Sequence, residues 1–113
     1  MKKYYAPHIE LIRMAVDAIN QYRPDDYDAF LQQQMVQDAI LMRLQVIGEN
    51  LVRIRHIDED LFTEIADESW LQLIGLRNII SHGYQVVKPE RIWAFITEEL
   101  DKFSASLSAL PKQ

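Results

Sequence analysis

"ILMRLQVIGENLVRI", residues 40–54, sets Ile40, Leu44, Ile47, Leu51 and Ile54 at intervals of four, three, four and three. That spacing keeps all five on one face of a 3.6-residue turn, so the stretch predicts an amphipathic helix with its stripe against a core. Gly48 sits inside the stripe region, where glycine costs about 1 kcal/mol relative to alanine. Its presence predicts a close backbone approach at that point. Read outward, the same periodicity extends the helix from Tyr27 to about Arg55.

The flanking segments carry the same signal. Ile9, Ile12, Val16 and Ile19 mark a helix from about Pro7 to Tyr22, which "RPDDYD" (23–28) breaks, leaving Asp25 or Asp26 to cap the next element. "IDEDLFTEIA" (57–66) reads as a short helix with acids in its first turn, where the positive end of the helix dipole favours them. Asp67 then caps a third main helix carrying Trp70, Leu73, Leu76 and Ile80. Pro89 opens a fourth with Ile92, Ile96, Leu100, Phe103 and Leu107 on one face. "YQVV" (84–87) is too short to count as a strand. The expectation is an all-α chain: one domain over residues 1–113, an antiparallel four-helix bundle with an additional short helix. Tyr4, Tyr5, Tyr22, Tyr27 and Trp93 exceed what so thin a bundle needs inside, so some are expected on a homodimer face, although scattered exposed aromatics are also ordinary.

Composition narrows the chemistry. The chain has no cysteine, which removes disulfides, thiolate nucleophiles and cysteine-ligated metals, and fits a reducing, cytoplasmic setting. No apolar run approaches the roughly 20 residues needed to span a bilayer, and "MKKYYAPHIE" (1–10) lacks the apolar stretch of a secretion signal. Membrane insertion is not expected. The net charge of −5 is concentrated in residues 58–113, with five Lys/Arg against ten Asp/Glu, whereas residues 1–57 hold seven of each. Any nucleic-acid contact must therefore rest on local arginines rather than on bulk attraction.

"RNIISHGY" (77–84) is where chemistry is concentrated. Gly83 can take the left-handed conformation that ends a helix, which puts His82 at or near the C-terminal turn. On a continuous helix Arg77 and His82 would lie about 140° apart; termination at Gly83 would let His82 swing back toward Arg77. A structural reading stands beside the functional one: His82 against the helix dipole, Arg77 paired with an acid, Tyr84 packed on the bundle end. Ser81 and His82 are adjacent on the helix and diverge by about 100°, so they form no nucleophile dyad. No metal-spaced ligand cluster or glycine-rich phosphate loop competes. His8 and His56 are isolated, and "RHIDED" (55–60) supplies no second ligand set. Arg53, Arg55 and His56 read equally as a local RNA patch or as compensation of a helix end. What remains is a histidine for proton transfer and an arginine clamp, a pair suited to metal-free phosphodiester cleavage.

At these residues the chain resembles the HepT toxins of the HEPN superfamily, whose R-x4-H-x-Y motif is matched by "RNIISHGY" with Asn78 as the polar residue after the arginine. "QDAILMRLQVIGEN" (37–50) is similar to the family's long helix with its Ile-Gly-Glu signature, "ESWLQLIGLRN" (68–78) to its approach to the motif, and "RIW" (91–93) to the opening of its last helix. The resemblance implies a homodimeric four-helix bundle with both motifs lining a shared RNA cleft. It implies a metal-independent endoribonuclease without a cofactor, the toxin of a type VII-like toxin–antitoxin pair. Arg77 and His82 would be catalytic and Asn78 supporting, with Asp38 or Glu49 on the long helix orienting Arg77. An MntA-type nucleotidyltransferase antitoxin would add AMP to Tyr84 and silence the nuclease. The competing class is a non-catalytic helical dimer that binds such a partner or a nucleotide.

Overall fold

The computed structural model describes residues 4–83 and 87–111, and every regular element among them is helical. The helices are α1 (Ala6–Tyr22), α2 (Tyr27–Leu31), α3 (Gln34–Ile57), α4 (Glu59–Ile65), α5 (Glu68–Gly83), α6 (Pro89–Glu98) and α7 (Leu100–Ser106), followed by a 3-10 turn at Leu107–Ala109. None is long and apolar enough to cross a membrane.

The stripe of residues 40–54 is the floor of the molecule. Ile40, Leu44, Ile47 and Leu51 are fully buried and Ile54 nearly so, each removal from water contributing roughly 1.5–3 kcal/mol. Helix α3 is flanked by α1 on one side and α5 on the other. Cross-helix pairs give the directions. Tyr5 meets Asp58, His8 meets Asn50 and Tyr22 meets Arg43, so α1 and α3 run antiparallel. Trp70 meets Ser106 across α5 and α7, and Arg23 at the end of α1 donates to the Ile96 carbonyl at 2.9 Å, so the last arm returns beside both.

Caps follow the sequence. Asp26 accepts from Ala29 N at 2.8 Å, which decides between the two candidate aspartates; Asp58 accepts from Leu61 N at 3.2 Å and opens α4; Asp67 accepts from Ser69 N at 2.9 Å and opens α5. These satisfy backbone donors that the first turn leaves without intrahelical partners.

Three expectations are corrected. The helix expected from Tyr27 to Arg55 is two helices, parted at Gln32 and Gln33, with Gln33 non-helical at φ −122°, ψ 82°. Here the buried Gln37 side chain donates to the Phe30 carbonyl at 2.9 Å, alongside the 3.2 Å bond which that carbonyl accepts from Gln33 N, and ties the end of α2 to the first turn of α3. The last helix bends at Glu99 between α6 and α7. Thr97 Oγ1 donates to the Trp93 carbonyl at 2.7 Å, a back-bond of the kind that bends helices without proline. Its apolar stripe from Ile92 to Leu107 is buried all the same. Finally, three of the aromatics expected in excess are used inside the chain. Tyr5 is buried; Trp93 packs on Phe30 and Tyr27, with ring centroids 5.2 and 6.2 Å away, clamping α2 to α6. Only Tyr4 and Tyr22 are exposed.

Candidate active site

Helix α5 crosses α3 at Gly48. A Cβ built there would lie 2.5 Å from the Arg77 Cβ and 2.7 Å from the Leu73 carbonyl oxygen, closer than real Cβ atoms come. The absence of a side chain at Gly48 is therefore what lets the two backbones meet, as its place in the stripe predicts. The next residue on α3 is Glu49, and the crossing lays Arg77 across it.

Arg77 Nε donates to Glu49 Oε2 at 2.8 Å, and Nη2 lies 2.8 Å from the same oxygen. Nη1 donates to Asn78 Oδ1 at 2.9 Å. A guanidinium carries five N–H groups in a rigid fork, so two remain without a partner among the described residues. The Arg77 side chain is 30% exposed and that of Glu49 38%, which leaves those donors within reach of an anion. Glu49 Oε1 lies 3.9 Å from Nη2 of Arg53, one turn further along α3. One carboxylate thus sits between two guanidinium groups, and the trio carries a net positive charge.

Of the two acids expected to compete for Arg77, Glu49 holds it and Asp38 does not. Asp38 is exposed, accepts from Gln34 Nε2 at 2.9 Å, and lines a shallow groove with Ile80 near the far end of α5. The expected swing of His82 toward Arg77 is also corrected. Helix α5 continues through His82, and the only positive φ among the described residues is at Gly83, 144°. The two motif side chains therefore leave the helix about 140° apart. His82 is exposed and makes no hydrogen bond or ion pair among the described residues. Ser81 Oγ donates to the Arg77 carbonyl at 2.9 Å, a helix back-bond that occupies its proton. Tyr84, the expected modification target, lies outside the described residues.

The helix-end cluster of Arg53, Arg55 and His56 is divided. Arg55 stacks over the Phe62 ring at 5.9 Å, His56 is exposed, and only Arg53 joins the Glu49 network. His8, isolated in sequence, is placed against Asn50 at 3.0 Å, a pairing across 42 residues that no local pattern announces. Among the described residues no three His, Asp or Glu side chains gather as a metal-binding group.

Set against known proteins, residues 12–110 match the family model described as Ribonuclease HepT-like, and the chain belongs to that family. It is 28% identical over 93 residues to the Methanocaldococcus jannaschii protein named "Putative RNase MJ1380", covering 82% of this chain and 83% of the relative. A second protein of that organism, "Putative RNase MJ0127", is 24% identical over 91 residues, covering 80% and 73%. No solved structure matches the chain.

Proposed function

We propose that this chain is a metal-independent endoribonuclease, the toxin of a type VII-like toxin–antitoxin pair acting in the cytoplasm. Residues 1–113 would act as one HEPN-like domain, the four long arms forming an antiparallel bundle that pairs as a homodimer. The observation that carries the reading is the Glu49 grip on Arg77, which presents two guanidinium donors without a partner among the described residues, on a chain of a ribonuclease family.

The chemistry is an internal transesterification. His82 takes the proton of a ribose 2′-hydroxyl, and that oxygen bonds to the adjacent phosphorus. The bond from phosphorus to the 5′-oxygen breaks, and that oxygen takes a proton from the His82 imidazolium, which returns the histidine to its starting form and gives a 2′,3′-cyclic phosphate and a 5′-hydroxyl end. Arg77 binds the non-bridging oxygens as charge accumulates on the phosphorane, a task suited to a planar, permanently charged fork. Glu49 and Asn78 position that fork. Asp38, three turns from the crossing, has no such role in this reading.

Because Arg77 and His82 diverge on one helix, the homodimer is part of the mechanism. Two copies of the motif on one cleft would let an arginine and a histidine from different protomers meet at one phosphate. Control would come from an MntA-type nucleotidyltransferase that adds AMP to Tyr84, bringing negative charge and bulk to the cleft. The test is RNA cleavage by the purified chain in EDTA, expected to persist in the parent and to disappear in His82→Ala.

A further inference from the structure

Beside the Arg77 crossing, and sharing Glu49 with it, a groove of about 670 Å³ runs between α1 and α3. Its polar lining is more ordered than a surface groove requires. Asn50, buried to 6% exposure, donates from Nδ2 to the Val46 carbonyl at 2.9 Å, which fixes the end of the amide that is oxygen. That oxygen, Oδ1, lies 3.0 Å from His8 Nδ1. An amide oxygen only accepts, so Nδ1 is the donor in this pair, and the tautomer that this selects leaves Nε2 as the ring's acceptor. Nε2 has no partner among the described residues. On the same groove Arg53, its side chain 60% exposed, has among the described residues only the distant Oε1 of Glu49 as a partner. Leu11 and Met42 add exposed apolar surface to the same groove.

We infer that this groove is a single-stranded RNA subsite flanking the cleavage centre, in which Arg53 takes a phosphate and His8 Nε2 accepts from a ribose 2′-hydroxyl. The inference rests on the ribonuclease reading and extends it from one phosphate to a neighbouring nucleotide. An acceptor held by Asn50 and a largely exposed cation on one groove match the donor and the anion that one ribonucleotide offers. The volume lies in the range of small-ligand sites. Leu11 and Met42 give a base an apolar surface without edge readout, so contact there is sequence-tolerant.

The test reads binding apart from cleavage. In the His82→Ala background, a short labelled single-stranded RNA and its all-2′-deoxy counterpart are titrated by fluorescence anisotropy over a range of salt. Arg53→Gln should weaken both and lower the salt slope of log affinity by about 0.7, the release expected for one single-strand phosphate; Arg53→Lys should keep the slope. His8→Ala should keep the slope but reduce the preference for RNA over DNA about fivefold, the worth of one hydrogen bond. If Arg53→Gln and His8→Ala both bind like their parent while the unmodified chain cleaves RNA, the subsite is overturned and the ribonuclease reading stands. If both shifts occur in a chain that cleaves nothing, the subsite stands and the ribonuclease reading falls. Unchanged affinity with an altered sedimentation mass would make the groove a protein contact and overturn the inference, as would failure of any variant to bind RNA.

Discussion

Glu49 Oε2 receives both Nε and Nη2 of Arg77 at 2.8 Å because Gly48, one residue earlier, lets α5 descend onto α3 at that point. Fold and candidate chemistry meet at this crossing, and each can be perturbed separately.

Gly48→Ala tests the crossing. Alanine gains about 1 kcal/mol of helix propensity, but its methyl would meet the Leu73 carbonyl, a backbone atom that cannot turn aside. The expected result is a net loss of about 1–3 kcal/mol in denaturant unfolding, in the range of core overpacking. Gly75→Ala is the control: nothing lies within 4 Å of its Cβ, so propensity alone acts and the change should stabilise. Equal responses from the two glycines would contradict a Gly48-dependent crossing.

Glu49→Gln separates positioning from stability. The Arg77–Glu49 pair is partly exposed and solvent-screened, so its loss should cost no more than about 1 kcal/mol of stability. Cleavage should fall at least about tenfold, because the neutral amide holds the guanidinium less firmly in place. Asp38→Asn should change neither. A Glu49→Gln enzyme with parental kcat and KM would remove Glu49 from the site.

Alkaline unfolding should report on Tyr5. Burial, then its 2.7 Å hydrogen bond to Asp58 and the charge of that carboxylate, push the phenol from its usual 10 up to about 12. The folded state thus resists ionisation more than the unfolded one. The stabilisation is fully present below pH 10 and is lost as pH rises through about 12. Tyr5→Phe should be less stable at neutral pH yet lose less stability between pH 9.5 and 12, which denaturation midpoints would show. Parallel pH profiles would contradict the assignment.

Tyr84→Phe tests the proposed control. Incubation with a nucleotidyltransferase partner, ATP and Mg²⁺ should add AMP mass increments to the Tyr84 peptide and reduce cleavage in proportion, even at raised salt, since salt screens charge but not volume. The Phe variant should remain active under the same treatment. Its equal silencing would point to inhibition by complex formation alone.

The apolar stripes were legible in the sequence because each obeys one period, and Gly48 stood out as a glycine inside a helical run. The breaks were not. The α2/α3 junction depends on Gln37 reaching back seven residues to Phe30, and the bend at Glu99 on a Thr97 hydroxyl; neither alters the hydrophobic pattern. Asp38 and Glu49 differ by eleven residues, about three turns, so they share a face and periodicity cannot choose between them. What separates them is roughly 16 Å along the helix axis, and Gly48 marks which end is crossed. The His8–Asn50 pair joins distant segments and left no local trace.

The central claim is that Arg77 and His82 act on one phosphate although they diverge on one helix, and mixing two inactive variants tests it most directly. Arg77→Ala and His82→Ala should each lose at least about 100-fold in RNA cleavage, the scale of a lost proton-transfer or charge-stabilising group. If the site is shared between protomers, subunit exchange between the two variants should restore EDTA-resistant cleavage. The mixed dimer then holds one cleft with both side chains intact. Full activity in either single variant, with its fold retained, would contradict the assignment of Arg77 and His82; no recovery on mixing, with exchange verified by mass, would contradict the shared cleft.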